Sequence, residues 1–246
     1  MRSIKKRRPF KQSGPVWLFD LDNTLNDSST HILPRVNRAM TEFVAKTLNV
    51  DLDEASSIRT KYWRQYGATL TGMVLNHGVD PHQFLRDTHQ FPDMAQIVKP
   101  KPQLANLLRS LRGTKIILTN APREYALSVL RSAGLHRIMD AIICIEDMQF
   151  AGKWQPKPSD AMLRRLLAKL KISAGRALLI EDTLENLHSA RHCGVTTIWA
   201  RAMSMQALKT PQRAGRGRKV SVQVQSVNAL KRLAFLPSLT LGLSLK

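Results

Sequence analysis

Short apolar runs that stop at polar residues recur along this chain, separated by stretches whose apolar residues fall at helical spacing. The first run, Val16-Trp17-Leu18-Phe19, ends by delivering two carboxylates, Asp20 and Asp22, and then Thr24. An apolar run of this length reads as a strand buried on both faces of a parallel sheet. From about Ser29 to Lys99 the pattern changes. Val36, Met40, Phe43, Val44 and Leu48 share one helical face, a second periodic stretch covers Asp53 to Tyr66, and Thr69 to Asn76 and Pro81 to Thr88 follow. Pro34 sits where an early helical turn tolerates it, and Asp53-Glu54 read as an N-cap and first turn. No strand pattern interrupts this stretch, so residues 30–99 are expected to form an all-helical insert.

From Pro100 onwards strands and helices alternate. Helices are predicted over Pro102 to Arg112, Glu124 to Ala133 (stopped by Gly134), Ser159 to Leu170, and Leu184 to His192 (stopped by Gly194). Strands are predicted over Lys115 to Asn120, Ala141 to Ile145, Ala177 to Ile180 and Thr196 to Ala200. Val220 to Val224 alternates as an edge strand does, and Ser226 would cap a short helix carrying Val227, Leu230 and Leu233. This βαβ rhythm predicts an α/β fold: a doubly wound, Rossmann-like parallel sheet with helices on both faces. The core would take residues 16–29 and 100–236, with the small helical domain inserted after the first strand. Residues 1–15 are expected as a flexible basic arm and residues 237–246 as a tail.

Composition agrees with a globular reading and narrows the setting. The chain has 246 residues, 43% hydrophobic and 23% charged, which is enough for one substantial core and a smaller module. No run of 18 or more apolar residues occurs, so a membrane span is not expected. Lys5-Lys6-Arg7-Arg8 is not followed by the apolar segment of a signal peptide, and a cytoplasmic location is expected. Cys144 and Cys193 lack metal-ligand spacing and are read as buried free thiols. The formal net charge of +20 sits mostly in the ends: residues 1–15 carry six Lys or Arg and residues 201–246 carry nine, with no acid in either. Solvated tails and a contact for nucleic acid or an anionic surface are both open readings of this pattern.

Four polar groups follow four separate apolar runs. They are Asp20, Asp22 and Thr24, then Thr119-Asn120, then Lys157 in Gln155-Pro156-Lys157-Pro158, then Glu181-Asp182 with Asn186. In a doubly wound sheet such strand ends converge on one cleft. Hydrolysis of a phosphate ester needs this set of groups. A carboxylate such as Asp20 can attack phosphorus and carry the phosphoryl group. The repulsion between carboxylate and phosphate calls for a hard cation, and Mg²⁺ suits Asp20, Glu181 and Asp182, with the backbone carbonyl of Asp22. Thr119 and Lys157 fit the task of holding phosphoryl oxygens. Asp22 suits the general acid and base. Each residue alone also has a structural reading: a loop acid, a strand end, a solvated lysine, an acidic helix cap. The order, each after its apolar run, is what favours chemistry.

That ordered set, across residues 16–29 and 100–200, resembles the four motifs of the haloacid dehalogenase superfamily, most of whose members are magnesium-dependent phosphatases. The resemblance implies Asp20 as nucleophile and Asp22 as acid/base, with Thr119 as the second motif, Lys157 as the third, and Asp182 with Asn186 as the metal-side fourth. Glu181 occupies a position that relatives fill with Asp, Glu or Gly. An acid at position 22 implies phosphoryl transfer rather than dehalogenation. The insert resembles the C1 cap of the subfamily that includes phosphoglycolate phosphatases. Within it, Tyr62 to Met73 and Asp80 to Leu85, together with Asn23, resemble pyrimidine 5′-nucleotidases. The implied substrate is a small phosphorylated metabolite: a pyrimidine nucleoside 5′-monophosphate first, phosphoglycolate or a sugar phosphate as the alternative. Asn23, Thr24, Asn120, Tyr62 and Tyr66 are then the candidate substrate-binding residues. Tyr62, Trp63 and Tyr66 have the spacing either to stack on a flat base or to pack the insert's helices together. A different class, a module binding nucleic acid or a partner through its basic ends, keeps the fold without the chemistry.

Overall fold

The computed structural model describes residues 14–201, 222–224 and 227. Strand β1 (Val16–Phe19) is followed by helices α1 (Leu33–Leu48), α2 (Leu52–Tyr66), α3 (Thr69–His77), α4 (Pro81–Thr88) and the single turn α5 (Met94–Ile97). Next come α6 (Pro102–Ser110), β2 (Thr114–Leu118), α7 (Arg123–Ser132) and β3 (Ala141–Ile143). The two-residue strands β4 (Gln149–Phe150) and β5 (Lys153–Trp154) form a small antiparallel hairpin. Helix α8 (Asp160–Leu170), β6 (Ala177–Glu181), α9 (Leu184–His192), β7 (Thr196–Ala200) and β8 (Val222–Val224) complete the order.

The large sheet runs β3-β2-β1-β6-β7-β8, every neighbouring pair parallel. The chain leaves β1 in one direction towards β3, then returns to β6 on β1's other side. That reversal is a topological switch point, where an open α/β sheet leaves a crevice beyond its strand ends. Alternation along the central strand divides the core into two layers. Trp17 and Phe19 pack with Leu104, Leu107 and Leu108 of α6 and Ala126, Val129 and Leu130 of α7. Val16 and Leu18 pack with Leu163, Leu166 and Leu167 of α8 and Leu187 of α9. Burial on both faces is why these strands are continuous apolar runs. The expected α/β architecture is the one observed.

The insert is helical throughout, with its own apolar cluster of Val44, Ala55, Leu70, Met73, Phe84 and Leu85. Ile145 and Trp154, from the chain after β3, belong to the same cluster and join the insert to the core. Pro34 does fall in the first turn of α1. The start of α2 differs from expectation. Its N-cap is Asp51, whose carboxylate accepts from the Glu54 amide at 2.8 Å, while Asp53 and Glu54 lie in the first turn beside the positive end of the helix dipole. The hairpin β4–β5 was not expected either. Its turn is Ala151-Gly152 with φ of 48° and 75°, and Ala151 is a residue that does not advertise such a turn. Helix α6 ends at Ser110, two residues short of the predicted end.

Among the described residues no helix is long and apolar enough to cross a membrane. Cys144 and Cys193 are free and buried, as read. The edge strand is seen as Val222–Val224, parallel to β7. The first thirteen residues of the basic arm, the basic loop after residue 201, the helix expected beyond Ser226 (Val227 apart) and the tail lie outside the described residues.

The chain returns from the insert through residues 89–93, which are docked by aromatic edges. The rings of His89 and Phe91 each lie 5.7 Å from that of Tyr125 on α7, both edge-on. Arg35 covers Phe91 at 4.8 Å and pairs with Asp93 at 2.8 Å. Desolvation pushes the His89 imidazole from 6.5 down to about 4. Between those values the unfolded chain holds a proton that the folded chain refuses, so stability declines as pH falls through that window. The loss amounts to at most about 3 kcal/mol. His89→Gln should flatten this part of the stability–pH curve measured by urea unfolding; an unaltered slope would assign it to other groups.

Candidate active site

The backbone ladder between β1 and β6 continues one residue past the strand, with the Asp20 amide donating to the Ile180 carbonyl at 2.9 Å. Because Phe19 is paired with Ile180, this register sets Asp20 level with Glu181 across the switch point. Both carboxylates are buried, and Lys157 reaches between them. Its Nζ donates to Asp20 Oδ1 and to Glu181 Oε2, each at 2.7 Å. Glu181 is fully engaged. Oε1 accepts from the Asp182 and Thr183 amides at 3.2 Å, and Oε2 also accepts from Asn186 Nδ2 at 3.0 Å. The Asp182 carbonyl is held by Trp199 Nε1 at 2.9 Å. Asp20, Glu181 and Asp182 can each place one oxygen so that all three lie within 4.8 Å of one another.

Burial and charge act against each other here. Burial raises the Asp20 carboxyl above its ordinary range, the charge of Glu181 raises it further, and Lys157 pulls the other way. Asp182 is raised by burial first and then by Glu181 and Asp20. Burial opposes the Lys157 ammonium, but Asp20 and Glu181 outweigh that and hold its pKa above the usual lysine value. Three buried carboxylates thus converge around the Lys157 ammonium. A donor set of hard carboxylate oxygens fits a divalent cation such as Mg²⁺. The Asp22 carboxylate is not one of these three donors.

The lysine loop is pinned from two sides. Asn120, at the end of β2, uses both ends of its amide: Oδ1 accepts from the Lys157 amide and Nδ2 donates to the Lys157 carbonyl, each at 2.8 Å. Asn120 was expected to bind substrate; its side chain is instead committed to the backbone of Lys157. On the other side lies Gly67, which ends α2 at φ 79°, and a Cβ there would meet the Lys157 carbonyl oxygen at 2.7 Å. Only glycine allows that approach. The end of α2 thus roofs the lysine, next to Tyr66. Thr119 is buried at the tip of β2, and its Oγ1 accepts from the Ala121 amide at 3.1 Å.

The loop after β1 folds back on itself. Asn23 takes φ 59° and its Oδ1 accepts from the Ser28 amide at 3.2 Å, so it shapes the loop. Thr24 Oγ1 is buried with no hydrogen-bond partner among the described residues. Asp22 Oδ1 accepts from Ser28 Oγ and from the Tyr125 hydroxyl, both at 2.5 Å. Tyr62 and Tyr66 lie 5.9 Å apart at the junction of α2 and α3. The Tyr62 hydroxyl lies 2.7 Å from His77 Nε2, and its ring fills the space over Gly72 where a Cβ would fall 2.2 Å from it. The Tyr66 hydroxyl accepts from Asn76 Nδ2 at 3.4 Å. Tyr62 is thus used to pack the insert, while Tyr66, which also contacts Asn76, directly precedes the Gly67 that meets the lysine loop; Trp63 remains 55% exposed.

The structure gathers Asp20, Lys157, Glu181, Asp182 and Asn186 in direct contact, with Asp22, Thr24 and Thr119 on the same strand-end edge. It adds Ser28 and Tyr125, which no sequence reading named. They come together only through the fold, one from the first loop and one from α7, and neither belongs to an apolar run that ends in polar residues.

The family model of haloacid dehalogenase-like hydrolases matches residues 17–200. Over 193 residues, 73% of the chain, it is 25% identical to Phosphate metabolism protein 8 of Saccharomyces cerevisiae. The alignment spans 59% of that longer protein's length. It is 26% identical to a phosphoglycolate phosphatase of Rhodospirillum rubrum, covering 74% of this chain and 77% of that one. Among solved structures, the magnesium-bound HAD hydrolase YfnB of Bacillus subtilis superposes with a TM-score of 0.54 at 17% identity, covering 92% of this chain and all of the other. That likeness concerns the fold.

The carboxylate cluster yields a test that needs no substrate. Mg²⁺ should raise the thermal unfolding midpoint, because a cation that binds only the folded chain adds roughly 3 kcal/mol at a hundred times its Kd. EDTA should reverse the shift and Asp182→Asn should abolish most of it. A midpoint indifferent to Mg²⁺ would argue against a cation site here.

Proposed function

Since the chain belongs to the haloacid dehalogenase-like hydrolases, we propose that it is a Mg²⁺-dependent phosphomonoesterase acting through an aspartyl-phosphate on Asp20. The carrying observation is the buried contact of Lys157 with both Asp20 and Glu181, at 2.7 Å each, beside a third carboxylate. Asp20, Glu181, Asp182 and the Asp22 carbonyl would hold the cation, with Asn186 behind them. When bound, it supplies the positive charge that lets a carboxylate approach a phosphate.

The protein's own groups do the rest. Lys157 fixes the Asp20 carboxylate by one oxygen and remains in reach of the phosphoryl group, where Thr119 assists. A carboxylate oxygen of Asp20 bonds to phosphorus as the ester P–O bond breaks. Asp22 gives its proton to the departing alkoxide. In the second half, Asp22 takes that proton back from a water that attacks phosphorus, the Asp20–phosphorus bond breaks, and inorganic phosphate leaves. Burial raises the Asp22 carboxyl above its usual range, against the opposing hydrogen bonds from Ser28 and Tyr125. A raised carboxyl suits a group that must begin as an acid.

The helical insert acts as the cap and selects the substrate by closing over the strand ends. A pyrimidine nucleoside 5′-monophosphate remains the first reading, supported by the resemblance of residues 62–73. A second reading, phosphoglycolate or a sugar phosphate, is favoured by two observations. Tyr62 is occupied inside the insert, and the Rhodospirillum rubrum relative is a phosphoglycolate phosphatase. The protein is expected to act in the cytoplasm. Any contact of its basic ends with nucleic acid would be additional to this chemistry.

The protein should release phosphate from p-nitrophenyl phosphate, and EDTA should stop it. Asp20→Asn should lower kcat by roughly four orders of magnitude or more with folding retained. A fully active Asp20→Asn would remove the nucleophile from this scheme. A panel of phosphorylated metabolites ranked by kcat/KM decides between the readings: UMP or CMP at the top supports the nucleotide, phosphoglycolate at the top replaces it.

A further inference from the structure

Beyond the strand-end residues, one buried polar contact has no counterpart in the chemistry described so far. Tyr125 is 4% exposed and sits on the first turns of α7, yet its hydroxyl reaches Asp22 Oδ1 at 2.5 Å, across 103 positions of sequence. Ser28, itself fully buried, donates to the same oxygen at 2.5 Å and is steadied by Asn26 Nδ2 at 3.1 Å. A buried tyrosine hydroxyl needs a partner, but a backbone carbonyl would serve as well. Here the partner is the group assigned as acid and base.

We propose that Tyr125, together with Ser28, is a positioning residue that clamps Asp22 by one oxygen and so commits the other, Oδ2, to carrying the proton that goes to the leaving group. The inference rests on the phosphomonoesterase reading above. Two donors on Oδ1 leave no room for a proton on that atom, because a hydroxyl that donates to it needs a lone pair. The acid proton therefore resides on Oδ2, and the fixed rotation of the carboxyl aims it. Placing an acid in this way is what lets proton transfer accompany bond breaking.

The clamp also ties the acid to the insert. The Tyr125 ring is wedged between the edges of His89 and Phe91, at 5.7 Å each, on the segment by which the insert returns to the core. Arg35 of α1 lies over the far ring, Phe91, at 4.8 Å. A shift of the insert that moved this segment would move the phenol, and with it the orientation of Asp22.

The test exploits the leaving group. An alkoxide needs a proton as it departs, whereas p-nitrophenolate does not, and kcat/KM reports the step in which the ester bond breaks. Tyr125→Phe keeps the ring and its packing. Its kcat/KM for an alkyl ester such as glycerol 2-phosphate should fall by roughly tenfold more than its kcat/KM for p-nitrophenyl phosphate. Ser28→Ala should show the same selectivity and stands in should Tyr125→Phe fail to fold. Equal losses on the two esters, or none on the alkyl ester, would overturn the clamp while leaving the phosphatase standing. A wild-type protein that turned over neither ester would overturn the phosphatase reading and this inference with it.

Discussion

One ammonium shared by two buried carboxylates, at the place where the sheet reverses direction, is the interaction on which the rest depends. Lys157 compensates Asp20 and Glu181 in a site from which water is largely removed. Removing one partner from a buried pair of this kind costs roughly 3–5 kcal/mol, since the remaining charges lose their compensation. The surrounding structure keeps the lysine in place. Asn120 grips its backbone at both polar atoms, Gly67 closes over its carbonyl, and the amides that open α9 take the far oxygen of Glu181. A third carboxylate, Asp182, stands within reach of the same point. Three hard carboxylate donors that can bring oxygens within 4.8 Å of one another fit a divalent cation as well as they fit a structural salt bridge.

The insert enters the same account from two directions. The end of α2 presses Gly67 onto the lysine loop, while the return segment packs His89 and Phe91 against Tyr125, behind Asp22. One contact reaches Asp20 through Lys157 and the other reaches Asp22 through Tyr125. The helices inserted after the first strand therefore touch both the lysine loop and the residue behind Asp22.

Much of this was legible from sequence because buried parallel strands and amphipathic helices write simple periods. Val16 to Phe19 and Ala177 to Ile180 are apolar throughout since helices cover both faces, and the polar residues after them could only be strand ends. Convergence then followed from topology. What escaped was whatever depends on long-range contact. Nothing around Tyr125 distinguishes it from an ordinary half-apolar helix residue, and Ser28 looks like a loop serine. Asn120 carried a legible location, but its grip on the Lys157 backbone was not legible, because a contact across 37 positions of sequence leaves no local mark. The aromatic trio of α2 shows the limit from the other side. Its spacing suited both stacking on a base and packing between helices, and only the space over Gly72 reveals that Tyr62 is used for packing. Asp51, rather than Asp53, caps α2 because capping is set by backbone geometry that a two-residue shift in the apolar pattern does not expose.

The central claim is that Asp20 bonds covalently to phosphorus while its neighbours hold charge and protons. It is tested most directly by quenching the working protein in acid within milliseconds of mixing with Mg²⁺ and a phosphomonoester, then mapping its peptides by mass spectrometry. The account predicts the mass of one phosphoryl group on the peptide bearing Asp20, absent when Mg²⁺ is withheld and absent in Asp20→Asn. Steady release of phosphate with no such adduct, or an adduct that survives in Asp20→Asn, would contradict it.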